Sequence, residues 1–205
     1  MSSFQAKRVF DLAMSIPAFI LSLPLQVAVA VLVAVKLGRP VLFTQKRPGL
    51  HGKPFTMVKF RTMLPVDAAR GWTDDASRMT SLGRALRTTS LDELPTLWNV
   101  VRGDMSLVGP RPLLMQYLPR YSAEQARRHE VPPGLTGLAQ ISGRNALSWE
   151  DKLRLDVEYV DARSLRLDLK ILWATVFAVI RRDGITAAGE ATMWEFMGLT
   201  EREVV

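Results

Sequence analysis

At 205 residues, with 48% hydrophobic and 23% charged residues, the chain is long enough for one domain with its own core and too short for two ordinary ones. Cysteine is absent, which excludes disulfides and thiolate metal sites, and His51 and His129 supply too little imidazole for a typical zinc centre. A formal charge of +7 and a pI near 10.1 favour polyanionic partners, whether nucleic acid, anionic lipid or a phosphorylated substrate.

The first element is apolar. Leu12 to Val35 is a run of 24 residues without a charge, enough for roughly 36 Å of helix at ~1.5 Å per residue. It reads in three ways: as a straight transmembrane anchor, as a helix-break-helix that enters and leaves one leaflet, or as a signal peptide. Pro24 favours the second, because a mid-run proline removes a backbone hydrogen bond and crowds the preceding turn. The flanks are equally basic, with Lys7 and Arg8 before the run and Lys36 and Arg39 after it, so the positive-inside rule gives no preferred direction, a tie that suggests both ends stay on the cytoplasmic side. Ala28-Val29-Ala30 resembles a cleavage site, yet a signal peptide has an apolar region of only ~7–15 residues, and the segment is read as retained.

Val41 to Gln45 and Phe55 to Phe60 read as two short strands of a hairpin, joined by a loop carrying Pro48, Gly49 and Gly52. Leu64 to Thr80 is polar and irregular, a solvated loop before it is a lid or a metal loop. Helical pattern runs from Leu82 to Arg87, from about Glu93 to Val101, and from Leu113 to about Glu130 with an interruption at Pro119. Val131-Pro132-Pro133-Gly134 forces a turn. Helices follow over Trp149 to Asp161 and about Leu167 to Arg182. The last is charge-free only from Ile171 to Ile180, too short to cross a bilayer, and reads either as a helix in the headgroup plane or as a core helix.

The stretch Arg87-Thr88-Thr89-Ser90-Leu91-Asp92-Glu93-Leu94-Pro95 carries the most chemistry. Ser90 and Glu93 have the spacing of a capping box, a purely structural explanation for the adjacent carboxylates. With Asp92 as the cap instead, Pro95 falls in the first helical turn at no hydrogen-bonding cost. In both cases the carboxylates sit at a helix N-terminus, which attracts phosphate. A carboxylate meeting a diphosphate needs cations, and Lys59, Arg61, Arg102 and Arg111 are at hand, Arg111 between Pro110 and Pro112 in a stiff turn. Gly137 and Gly143 bracket a loop ending in Arg144 that suits close approach of a nucleotide.

Together these residues resemble the signature of bacterial sugar transferases: Ser90-Leu91-Asp92-Glu93-Leu94-Pro95, Asn99-Val100, Gly103-Asp104-Met105-Ser106 and Gly109-Pro110-Arg111-Pro112. The likeness extends through Lys7-Arg8 with Asp11, Arg47-Pro48-Gly49, Lys59-Phe60-Arg61-Thr62-Met63, Pro133-Gly134-Leu135-Thr136-Gly137, Gly143-Arg144-Asn145, Lys152-Leu153 with Asp156, and Leu167-Asp168-Leu169-Lys170. With no multi-span region ahead of it, the chain is similar to the small monotopic phosphoglycosyl transferases.

The resemblance implies a magnesium-dependent, two-step transfer at the cytoplasmic face of the bacterial inner membrane, initiating the synthesis of a polysaccharide, O-antigen or glycoprotein glycan. Asp92 would attack the β-phosphorus of a UDP-sugar, UMP would leave, and polyprenyl (undecaprenyl) phosphate would take the phosphosugar. Mg²⁺ would bridge Asp92 and phosphate oxygens. Glu93 would orient the site or the metal, and Arg111, Lys59, Arg87 and Arg144 would contact phosphate or nucleotide. Asp156 maps to a functional acidic position, with a helix-surface ion pair as its alternative. Membrane lipids are implied partners, nucleic acid is not, and a homodimer is compatible with the family.

The fold expected is α+β, mainly α: residues 1–38 as a re-entrant membrane helix broken near Pro24, and residues 39–205 as a cytoplasmic catalytic domain with a small β-hairpin and interfacial amphipathic helices. Two departures from the family pattern stand out. Leu23 precedes Pro24 where serine is common, leaving Ser22 as the nearest hydroxyl, and Pro132 replaces a basic residue before the Pro-Gly turn. The competing reading is a non-catalytic, membrane-tethered basic module that binds anionic lipid or nucleic acid; it leaves the acidic pair unexplained.

Overall fold

The computed structural model describes residues 3–143, 147–181 and 195–198. It opens with α1 (Ser3–Leu37), followed by the antiparallel hairpin of β1 (Leu42–Pro48) and β2 (Pro54–Phe60). After an irregular stretch come α2 (Asp75–Arg78) and α3 (Ser81–Thr88), then a 3₁₀ helix over Leu91–Thr96 that runs into α4 (Leu97–Arg102). The second half holds β3 (Ser106–Val108), α5 (Ala123–Ala126), β4 (Gly134–Thr136), α6 (Leu138–Ile141), α7 (Trp149–Ala162) and α8 (Leu165–Arg181). The described chain is thus mainly helical, with two small sheets and one long apolar helix.

α1 does not divide into two helices at Pro24, which corrects the expected break at the level of secondary structure. Pro17 and Pro24 both lie inside one continuous helix. Proline deletes an amide donor and disturbs the turn before it, and polar side chains bridge that turn here. Ser22 Oγ donates to the Phe19 carbonyl at 2.9 Å, and Gln26 Nε2 donates to Ser22 Oγ at 2.9 Å.

Both ends of α1 are fastened to the rest of the chain. Near its start, Arg8 donates to the Val100 and Val101 carbonyls at 2.6 and 2.7 Å, which satisfies backbone acceptors at the end of α4. Lys7 pairs with Asp11 at 3.1 Å and with Asp168 of α8 at 3.0 Å. Asp11 in turn accepts the Leu107 amide of β3. At the other end, Arg61 donates to the Leu37 and Gly38 carbonyls. Val29, Val33 and Leu37 bury against Phe60 and Leu86, forming a small core that sequence-local packing alone would not supply.

The hairpin forms as expected, with β1 starting one residue later and running on through Pro48, expected in the loop, and β2 starting one residue earlier; its register sets Phe43 opposite Lys59 and Gln45 opposite Met57. In the polar stretch after it, Asp67 and Asp74 accept backbone amides as caps of short helical turns and Asp75 pairs with Arg78 at 3.5 Å, so all three acidic residues do local structural work. The expected helix over Leu113 to Glu130 is instead three short pieces. Tyr121 is extended after the 3₁₀ turn containing Pro119, and the Ser122/Gln125 capping box starts α5 afresh. The parallel pair β3–β4 has no counterpart in the sequence reading, because strands of three residues are too short to show a period of two. It forms the centre of the main core, where Val108 packs with Val100, Met105, Tyr159, Val160 and Ile171.

Candidate active site

The 3₁₀ helix Leu91–Thr96 is held against β2 by side chains that take the place of a third strand. Asn99 is fully buried; its Oδ1 accepts the Val58 amide at 3.1 Å and its Nδ2 donates to the Thr56 carbonyl at 2.8 Å. Thr96 Oγ1, also fully buried, donates to the Val58 carbonyl at 2.8 Å. These bonds satisfy the free edge of β2 and bring Lys59, next along that strand, beside the acidic pair. Ser90, immediately before the pair, has φ +56°, a left-handed conformation rare for a residue with a side chain. It accepts no capping role, since its side chain makes no cap hydrogen bond. The capping-box account of the two carboxylates therefore does not hold.

Asp92 and Glu93 occupy opposite electrostatic environments. Glu93 Oε1 accepts Lys59 Nζ at 2.6 Å and Arg111 Nη2 at 2.7 Å. Burial pushes the Glu93 carboxyl upward, but the Arg111 and Lys59 charges outweigh it and hold the group well below the usual carboxylate range. Asp92 is 7% exposed and accepts no hydrogen bond among the described residues. Burial, then the neighbouring Glu93 charge, pushes its carboxyl up to about 6, against the pull of Lys59, Arg111 and Arg87. Glu93 is thus the permanent counter-ion of two cations, and Asp92 is the carboxylate with its oxygens uncommitted.

The structure gathers five of the expected site residues, Asp92, Glu93, Lys59, Arg111 and Arg87; the Arg87 charge acts on Asp92 and its Nε donates to Thr62 Oγ1 at 3.1 Å. Asp156 is placed differently. Its carboxylate is buried and engaged by Arg128, with Nε at 3.0 Å and Nη2 at 2.6 Å, so it is neither a surface ion pair nor an open ligand. Arg144 lies outside the described residues. Arg128, 2% exposed, is the residue the sequence reading missed; three basic residues in a row, Arg127-Arg128-His129, gave no sign that the middle one turns inward.

Among the described residues no group of three His, Cys, Asp or Glu side chains is placed to hold a metal by itself. The donor set still suits Mg²⁺, which keeps several waters and binds through one or two carboxylates plus substrate phosphates. Asp92 has uncommitted oxygens for this, whereas the Glu93 oxygen facing the cluster is already shared by two cations.

A buried carboxylate thus stands beside a cluster of cations on a chain with one long, largely exposed apolar helix. The bacterial sugar transferase family matches residues 2–182, and the chain belongs to that family. It is 53% identical to the uncharacterized sugar transferase EpsL of Bacillus subtilis (strain 168), across 94% of this chain and 96% of that protein. It is 39% identical to an undecaprenyl-phosphate galactose phosphotransferase of Salmonella typhimurium, across 89% of this chain but 42% of that protein. It is also 40% identical to a UDP-glucose:undecaprenyl-phosphate glucose-1-phosphate transferase of Caulobacter vibrioides, across 86% of this chain and 70% of that protein. The chain therefore spans less than half the length of the Salmonella relative.

Proposed function

We propose that this chain transfers a sugar-1-phosphate from a UDP-sugar to polyprenyl phosphate through a covalent intermediate on Asp92. The observation that carries the reading is the split between the two acidic neighbours: one neutralised by Lys59 and Arg111, the other buried, uncommitted and near pH 6. In the first step an Asp92 oxygen forms a bond to the β-phosphorus, the bond from that phosphorus to the bridging oxygen breaks, and UMP leaves with the oxygen and its electron pair. In the second, an oxygen of polyprenyl phosphate attacks the same phosphorus and the bond to Asp92 breaks, which restores the carboxylate. Splitting the transfer lets two bulky anions use one site in turn. Arg111, Lys59 and Arg87 offset the charge gathered there, and Glu93 fixes the first two in place. Mg²⁺, held by Asp92 and substrate oxygens, would supply further neutralisation of phosphate charge.

The membrane arrangement supports the same reading. α1 exposes Ile16, Ile20, Leu21, Leu23, Leu25, Val27 and Val31, and only 17% of its most apolar window is buried. α8 exposes Leu165, Leu169, Trp173, Val176 and Phe177 on one helical face while Asp168 and Ile171 point inward. Such surfaces favour lipid over water. With Arg8 and Arg61 tying the two ends of α1 to one domain, a straight span would have to tear one end away. The monotopic reading keeps both ends, and the acidic pair, at the cytoplasmic face, with α8 lying in the interface.

The test is to incubate purified protein with Mg²⁺ and UDP-sugars labelled in the sugar, without lipid acceptor. UMP is released once per active site and label stays on the peptide containing Asp92; adding polyprenyl phosphate moves it to lipid. Lipid-linked product formed by the Asp92→Asn variant at the wild-type rate would sink the proposal.

A further inference from the structure

The backbone of the Gly109-Pro110-Arg111-Pro112 turn is held by three hydrogen bonds. Gly109 donates its amide to the Thr136 carbonyl at 2.9 Å, and the Pro110 carbonyl accepts the Gly134 amide at 2.9 Å. The next carbonyl, that of Arg111, accepts Arg128 Nη2 at 2.6 Å. The first two bonds come from β4, but the third comes from a charged side chain whose burial is costly. A buried guanidinium must be paired, and replacing a buried ion pair by apolar residues is often neutral or stabilising, so the pair is not explained by stability alone.

Arg128 meets that cost through Asp156, which approaches from α7 and binds both Nε and Nη2 through one oxygen. Tyr121 Oη lies 3.3 Å from Nη1 and fixes the plane of the guanidinium. The fork is therefore oriented before it reaches the Arg111 carbonyl. From that carbonyl the chain leads to the Arg111 side chain, whose Nη2 is 2.7 Å from Glu93. A flexible side chain on a loosely held turn would spread its guanidinium over several ångströms, and a misplacement of about 1 Å can cost ~100-fold in rate.

We infer that Arg128 and Asp156 are positioning residues: buried between α7 and the arginine turn, they fix the Arg111 backbone so that its guanidinium meets Glu93 and the substrate phosphate. Neither touches substrate. The inference rests on the transfer reaction proposed above for the meaning of Arg111, and it reassigns Asp156 from substrate contact to support of that contact.

Two variants test it, each in detergent-solubilised full-length protein. Arg128→Lys keeps the charge but lacks the fork that joins Asp156 to the Arg111 carbonyl. The pair Arg128→Met with Asp156→Leu removes both charges together and keeps the interior filled. Both are expected to lower kcat/KM for the UDP-sugar at least tenfold, to raise hydrogen exchange at the Gly109 and Gly134 amides that tie the turn to β4, and to make a further Arg111→Lys change cost less than threefold. A purely structural role would instead leave the Arg111→Lys cost undiminished. Wild-type kcat/KM within about twofold in either folded variant, or full additivity with Arg111→Lys, overturns the inference. If the wild-type protein releases no UMP from any UDP-sugar, the proposed function fails, and the exchange measurement still decides the positioning: unchanged exchange at Gly109 and Gly134 overturns it, and raised exchange supports it.

Discussion

Arg111 Nη2 sits 2.7 Å from Glu93 Oε1, and the Lys59 ammonium shares the same oxygen at 2.6 Å. Adjacent residues in the chain, Asp92 and Glu93, are thereby given different duties: one carboxylate is spent on holding cations, and the other is left with a raised pKa. Pairs of acids whose environments drive their pKa values apart commonly divide their roles in this way.

The first prediction concerns pH. Asp92 must be ionised to attack phosphorus, and its carboxyl is pushed up to about 6. The first-step rate is expected to rise with pH through about 6, standing near a tenth of its plateau at pH 5 and levelling above about 7. Single-turnover UMP release across pH 4.5–8 measures it. A flat profile down to pH 5 would mean that Asp92 is not buried as described or is not the attacking group.

The second uses the same shift as a statement about stability. The folded carboxyl titrates near 6 and the unfolded one near 3.8, so between those values the folded state binds more protons. Stability contributed by the protonated acid is present at low pH and is lost as pH rises through about 6, with a ceiling of about 3 kcal/mol at ~1.4 kcal/mol per unit. Asp92→Asn removes the ionisation. Its thermal midpoint is expected above that of the wild type at pH 7.5, with the gap closing towards pH 4. A gap that is constant across this range contradicts the assignment.

Third, Arg111→Lys is expected to lower kcat/KM for the UDP-sugar at least tenfold. Lysine keeps the charge but lacks the planar fork that bridges Glu93 and a phosphate oxygen together. A change within about twofold, roughly 0.4 kcal/mol of transition-state stabilisation, would make the residue peripheral.

Much of this site was legible in the sequence because its parts are local or typed. Asp92, Glu93, Lys59 and Arg111 stand in short motifs that together carry the family resemblance, although the acidic pair alone also fitted a capping box, and the hairpin and α7 follow plain periodicity. What stayed hidden depends on contacts distant along the chain. Arg128 is fully buried only because Asp156, 28 positions away, meets it, and β3–β4 exists only because Pro133 and Thr136 return to accept the Ser106 and Gly109 amides. The helix over Leu113–Glu130 failed for the opposite reason: apolar periodicity persists across Pro119 and Ser122, and local capping overrides it.

The fourth prediction follows from that return. The backbones of Gly109 and Gly134 pass so closely that a Cβ on Gly134 would lie 2.1 Å from the Gly109 nitrogen and 2.3 Å from the Thr136 oxygen. No side-chain movement relieves a clash with backbone. Gly134→Ala is therefore expected to destabilise the fold by more than about 2 kcal/mol and to displace the arginine turn. A thermal midpoint and UMP-release rate equal to those of the wild type would contradict the close approach.

The last prediction concerns how α1 meets the membrane. Its length permits a full span, but Arg8 grips the end of α4 and Arg61 grips the end of α1, so both termini of the helix belong to one folded body. Pro24 lowers the cost of bending the helix between those anchors in a bilayer, because the donor it lacks has already been given up, and Ser22 and Gln26 supply polar atoms in the turn before it. Ser3 is accordingly expected on the cytoplasmic side with Lys36. The chain has no native cysteine, so a single Ser3→Cys substitution provides a clean probe in intact cells. A membrane-impermeant maleimide applied from the periplasm should leave it unlabelled, and permeabilised cells should label it fully. Adding Pro24→Ala restores the missing donor and favours a straighter helix, which should expose a fraction of Ser3→Cys to the periplasm. Removing Arg8 in that background should enlarge the exposed fraction, since the anchor opposing a full span is then gone. Strong periplasmic labelling of Ser3→Cys with Pro24 and Arg8 intact would establish a straight transmembrane anchor and overturn the monotopic arrangement.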